Sequence, residues 1–181
     1  MITLSQTSPD DGQRRTRAGA LERVRSAAPP LVDWMPGAVI WAVLMAASAY
    51  LQLTLHEWAT PTHINLVTSI FAGGGLVAFP MALWAARLLA QRRSPEARFA
   101  AMVVCLTVLT VGLTALFYAF DYRAYYSEWH DNAFTMRWVF ELIFTTLAAC
   151  YQFLVMGLRL FFPLGFVALA AAGLWFARHA H

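Results

Sequence analysis

Glu141 stands in an apolar segment one helical turn after Arg137, and this pair is the most conspicuous chemistry in the chain. At 100° per residue, Arg137, Glu141, Thr145, Gln152 and Arg159 fall within about 40° of one line on a helix. The rest of that helix is apolar. An ionisable group inside a membrane span is costly and faces a bundle interior or a watery cavity. Two chemistries fit. In the first, Glu141 is a proton acceptor or cation contact, Arg137 and Arg123 hold an anionic group, and Tyr118 and Gln152 orient it. In the second, Glu141 and Arg137 are a structural pair one turn apart, set among interhelical hydrogen bonds. The residues leave both open.

A second stripe consists of Thr107, Thr110, Thr114, Tyr118 and Asp121, which share a sector of about 80° on their helix. Asn65, Thr68 and Ser69 on one neighbouring segment, and Ser48 and Gln52 on another, lean toward the same half of the membrane. If these faces converge, they line a polar vestibule that opens to the periplasm with Glu141 near its floor. If they do not, the hydroxyls are glue between helices.

His56, Glu57, His63, Glu128, His130 and Asp131 are legitimate transition-metal ligand types. His56, His63, His130 and Asp131 are the weak candidates among them. Their spacing matches no strong template, and ordinary interfacial polarity is the default. A bis-His haem needs axial histidines within spans, whereas all five histidines lie in loops or at the C-terminus. No cofactor is predicted. Cys105 and Cys150 lie in apolar segments without Cys-x-x-Cys spacing, and read as buried inert thiols. There is no Gly-x-Ser-x-Gly and no phosphate-binding glycine loop, so a non-enzymatic protein is expected.

The elements that carry these residues are membrane helices. The chain has 181 residues, 60% hydrophobic and 13% charged, against about 45–50% and about 25% for a soluble domain. A span needs about twenty apolar residues to cross about 30 Å of hydrocarbon. The segments that meet this requirement predict an all-α, polytopic transmembrane bundle. Its spans are about 34–55, 64–89, 99–120, 138–156 and 162–177, with Asp33, Thr60-Pro61 and Ser94-Pro95 as start signals. Five spans are favoured. Four are possible if one of the last two helices lies in the interface, since the break between them falls at Gly157–Pro163. Ala72-Gly73-Gly74-Gly75 predicts close helix packing, or local unwinding beside a site. Residues 1–30 read as a largely disordered, Arg-rich cytoplasmic tail.

All thirteen basic residues are Arg, which suits a bacterial source, and the net charge of +3 gives no footprint for nucleic acid. The positive-inside rule puts the N-terminus in the cytoplasm. In the five-span arrangement Arg159 lies at an inner turn and Arg178 outside. The expectation is therefore a multi-pass inner-membrane protein in contact with the lipid bilayer, working as an accessory or assembly subunit beside other membrane subunits or as a homo-oligomer. The alternative is a small transporter or sensor built on Glu141, Arg137, Gln152, Tyr118, Asp121 and Arg123.

Overall fold

The computed structural model describes residues 31–56, 60–91, 93–126 and 135–179, with side chains from Trp34 onward, and its regular structure there is all helical. Five α-helices follow one another: α1 (Leu31–Leu55), α2 (Pro61–Leu89), α3 (Pro95–Tyr126), α4 (Met136–Gln152) and α5 (Leu164–His179). Between α4 and α5 come a π-helical turn, Phe153–Gly157, and a 3-10 turn, Leu158–Phe161. This is the helical bundle that the sequence predicts. Four stretches are long and apolar enough to cross a membrane: Trp34–Leu55, Pro61–Leu89, Pro95–Tyr126 and Met136–Phe161. The Arg-rich tail, His130, Asp131 and the last two residues lie outside the described residues.

Local chemistry starts these helices. Thr60 is extended at the cap of α2, and Pro61, which has no N–H to leave unsatisfied, takes the first helical position. The Ser94 hydroxyl accepts from the Ala97 N–H at 3.4 Å, with Pro95 again opening the helix. Thr135 caps α4 by accepting from the Trp138 N–H at 3.2 Å. One expectation is corrected. α1 already begins at Leu31, so Asp33 lies inside its first turn and not at its cap.

α1, α2 and α3 form an antiparallel up-down-up core. Gly37 faces Phe79 and Gly75 faces Met45 and Trp41, so α1 and α2 run in opposite directions. Gly73 faces Phe117 and Gly74 faces Thr114, which sets α3 antiparallel to α2. At Gly74 the approach needs glycine. A Cβ there would lie 2.9 Å from the Thr114 Cα and would also strike its hydroxyl. α2 stays helical through Ala72–Gly75, so this run serves close packing and not unwinding. Met45, Phe71, Leu83, Met102 and Leu106 fill the seam and are fully buried.

The break between the last two helices falls where the sequence puts it, but at a different depth. α5 runs antiparallel to both α1 and α3: Gly165 lies near Met45, and Gly173 near Phe99 and Val103. Arg178 lines a cleft with Pro95, Glu96 and Phe99. The end of α5 therefore shares one end of the bundle, the lower end, with the starts of α1 and α3. Its 16 residues rise about 24 Å. The turn before it is tied to Ser48 and Gln52 of α1, toward the opposite, upper end. The expectation that Arg159 sits at the turn nearest the N-terminal end of α1 is corrected accordingly. So is the expectation that Arg178 lies at the end away from it.

α4 leans across the upper part of the bundle. The Arg123 guanidinium lies over the Trp138 ring, and the Tyr118 ring packs on Phe153. Along α4 these contacts are separated by about 22 Å, but along α3 by only about 7 Å. α4 is therefore steeply inclined to α3. It buries only Ala149, where α2 buries eight residues. α4 thus lies obliquely in the upper layer although Met136–Phe161 is long and apolar enough to cross a membrane, and the 16-residue α5 is shorter than the four stretches that could cross. The π-helical and 3-10 turns are the joint that lets the chain change from that inclination to the descending α5.

Candidate functional site

The Glu141–Arg137 pair forms as the spacing predicts. Arg137 Nε donates to Glu141 Oε1 at 3.2 Å. The two side chains differ sharply in setting: Arg137 is 78% exposed and Glu141 24%. Glu141 is thus partly covered while its partner is not. Thr145, one turn on, donates its hydroxyl to the Glu141 carbonyl and is half-buried. Ala149 and Phe153 continue this line as buried residues. Gln152 and Arg159 leave it, and both are exposed. The polar stripe is therefore split: Glu141 and Thr145 are partly buried, while Arg137, Gln152 and Arg159 are exposed.

α3 brings the other predicted residues to the same region. Tyr118, Tyr122 and Tyr126 form a ladder one turn apart, with ring centroids 6.3 and 4.7 Å from each other. Asp121 and Arg123 are half-buried beside it. Arg123 reaches Trp138, the residue after Arg137, with its guanidinium carbon 5.5 Å from the ring centroid. That distance is a cation–π contact. Arg137, Glu141 and Arg123 thus gather where α4 starts and α3 ends, whereas Tyr118 packs on Phe153 beyond the far end of α4. The group carries both charge signs and aromatic walls, a setting that suits proton exchange or an anionic group.

The wider vestibule does not assemble from the residues expected to line it. Ser48 is 1% exposed, and its hydroxyl donates to the Leu160 carbonyl at 2.8 Å. Gln52 Nε2 donates to the Phe162 carbonyl at 2.6 Å. Both therefore supply hydrogen bonds to the broken backbone, Ser48 at a buried carbonyl and Gln52 at an exposed residue. Thr110 is buried and accepts from Trp41 Nε1 at 3.1 Å. Thr114 is buried against Gly74. Ser48, Gln52 and Thr110 are hydrogen-bond glue, whereas Thr114 packs with no partner for its hydroxyl among the described residues. Asn65 and Ser69 are exposed, and the Ser69 hydroxyl is spent on the carbonyls of Asn65 and Leu66.

The sequence reading missed Trp41 as the partner of Thr110. A tryptophan N–H in mid-span needs an acceptor when buried, and that was the available signal. It also missed a cavity of about 230 Å³ between α1, α3 and α5, bounded by Trp41, Thr107, Leu158, Phe161, Gly165 and Phe166.

Among the described residues no group of three or more metal-ligating side chains is close enough to hold an ion. His56 and His63 are exposed, and the His56 ring nitrogen lies 3.0 Å from the Gln52 carbonyl. Of the two thiols Cys105 is buried, but Cys150 is exposed on α4, which corrects the expectation for that residue. Set against protein-family models, curated proteins and solved structures, the chain matches none.

Proposed function

We infer that this chain is a multi-pass protein of a bacterial inner membrane, non-enzymatic, working as an accessory or assembly subunit that meets its partner through α4. The observation that carries this reading is the state of α4. It contributes one residue to the core, and it presents the amide of Gln152 outward among Phe144, Leu147, Tyr151 and Leu154. An amide facing lipid is a cost that a neighbouring helix removes by hydrogen bonding. The chain supplies its own probe, since Cys150 is exposed two residues away while Cys105 is buried. Crosslinking through Cys150 with a membrane-permeant bis-maleimide in intact membranes is expected to give a discrete larger species. Cys150→Ser abolishes it, and Gln152→Leu weakens it without altering the thermal stability of the purified chain. Recovery of the uncrosslinked chain alone, from membranes and after mild-detergent purification, overturns this reading.

The arginine distribution supports an N-terminus in the cytoplasm. With α5 ending at the lower end, Arg178 joins the arginines of the tail and of the α2–α3 turn, while Arg159 joins Arg123 and Arg137 on the other side. The strong inward bias of positive charge is the same after this exchange.

The partly buried Glu141 favours a second reading, a proton- or ligand-sensing site in which Arg137 is the counter-charge and Arg123, over Trp138, stands on the facing helix. Glu141→Gln keeps the shape and removes the charge. On this reading it abolishes a proton flux or ligand response measured in proteoliposomes while leaving the fold intact. A purely structural pair predicts a stability loss of under about 1 kcal/mol and no change in any flux.

A further inference from the structure

The three arginines on the upper side of the described chain are in unlike states. Arg137 is paired with Glu141 and Arg123 is stacked over Trp138. Arg159, in the 3-10 turn, is exposed, and no carboxylate among the described residues pairs with it. Its turn is bonded to Ser48, about 10 Å along α1 from the upper end at Leu55. That is below the membrane boundary but within reach of it, because an arginine side chain stretches toward the interface and keeps its charge among headgroups. A guanidinium in this position needs an anion, and none of the described residues supplies one.

The adjoining residue, Leu158, is in the wall of the 230 Å³ cavity. The cavity lies between α1, α3 and α5 and opens sideways past Thr107, Leu158 and Phe166, which are exposed. Its buried polar atoms answer one another, since Trp41 Nε1 donates to Thr110 Oγ1 inside it. The interior therefore offers little to a polar group and suits an apolar chain. Gly165 keeps it open. A side chain there would crowd the Phe161 Cβ, already 3.3 Å from the position of an added Cβ.

We propose that this cavity and Arg159 together form a binding site for an anionic phospholipid, with one acyl chain between α1, α3 and α5 and the phosphate on the Arg159 guanidinium. The break in the helix makes both halves of the site. The 3-10 turn puts Leu158 and Phe161, three residues apart, on the face that walls the cavity. It leaves Arg159 on another face, free for the headgroup. A charge-assisted hydrogen bond to phosphate is stronger than a neutral one, so the site discriminates by headgroup charge as well as by chain.

The test titrates the full chain in dodecyl maltoside with phosphatidylglycerol and with phosphatidylethanolamine of the same acyl chains, counting bound lipids by native mass spectrometry. Phosphatidylglycerol is expected to bind roughly tenfold more tightly. Arg159→Gln brings it down to the level of phosphatidylethanolamine, and Arg159→Lys retains most of the preference. Thr107→Phe, which fills the cavity mouth from an exposed position, weakens both lipids. Circular dichroism and melting curves check that each variant is folded. Equal binding of the two lipids by the unaltered chain, or a preference that survives Arg159→Gln, overturns the proposal. It is equally overturned if Arg159→Gln leaves lipid binding alone but releases a co-purifying protein, since the counter-ion is then a carboxylate of that partner.

Discussion

Replacing Gly74 by Leu lowers the stability of the purified protein by about 2–3 kcal/mol, and Gly74→Ala by a smaller amount of the same sign. The reason is local and steric. α2 and α3 touch at Gly74 and Thr114, and a methyl group at 74 would lie 2.9 Å from the Thr114 Cα and 3.0 Å from its Cβ. A flexible side chain can swing out of the way, but a backbone atom moves only with its helix. The two helices must therefore separate along a seam that also holds Phe71 and Leu106. In a bilayer this loss is not recovered by hiding apolar surface elsewhere, because helix association there rests on close packing. Gly112 is the control. It lies on the exposed side of α3 with nothing within 4 Å of an added Cβ, and Gly112→Ala is expected to be neutral or mildly stabilising, as alanine is the better helix former. Thr114→Ala rescues Gly74→Ala only in part, since the clash with the Thr114 Cα remains. Thermal melts of the four variants in one detergent decide the matter. A Gly74→Leu protein that melts with the wild type would show that α2 and α3 are not in this register.

That seam was readable in the chain, and the contrast with what was not readable is instructive. Consecutive glycines in an apolar helix announce close approach or local unwinding, and the unbroken α2 decides for the first. Thr60-Pro61 and Ser94-Pro95 announce helix starts because their chemistry is local. The Arg137–Glu141 pair is one turn of a single helix and needs no knowledge of the rest of the fold. Ser48 and Gln52 are different. Periodicity gives the face of α1 on which they lie, but their partners are the carbonyls of Leu160 and Phe162, more than a hundred residues away. A polar face looks the same from sequence whether it meets water or a broken backbone. The depth of the turn was hidden for a related reason. Gly157, Arg159 and Pro163 mark where a helix must break, but they carry no information on how far into the bundle the break falls. Only the contacts of Gly165 with Met45, and of Gly173 with Phe99, fix the path of α5. The split of the Glu141 stripe was hidden in a similar way: Gln152 keeps the helical phase of Glu141 and Thr145 yet is exposed, and the π-helical turn after it resets the phase only for Arg159.

The break itself yields the other large effect. Ser48→Ala is expected to destabilise the protein by about 1–3 kcal/mol, because the Leu160 carbonyl is left unpaired at a buried position that water does not reach. Gln52→Leu costs less, about 1 kcal/mol, since Phe162 is exposed and its carbonyl finds another donor near the membrane surface. The two bonds fix the same short segment, Leu160–Phe162, against one helix. Once either is lost the segment shifts, and the remaining donor has less to hold. The double variant is therefore expected to lose less than the sum of the single losses, by at least about 0.5 kcal/mol, which is the signature of shared structure. The consequence reaches beyond stability. The same segment orients α5, whose packing on α1 and α3 closes one side of the bundle, and it sets Phe161 against Phe71 with ring centroids 4.7 Å apart. Loosening it should expose the Arg159–Pro163 stretch to added protease in detergent before the rest of the chain is cut. If the double variant melts with the wild type and is cut no faster in this stretch, then the break is held by packing of Phe161 and Leu160 alone. The polar residues of α1 would then lose the role assigned to them here.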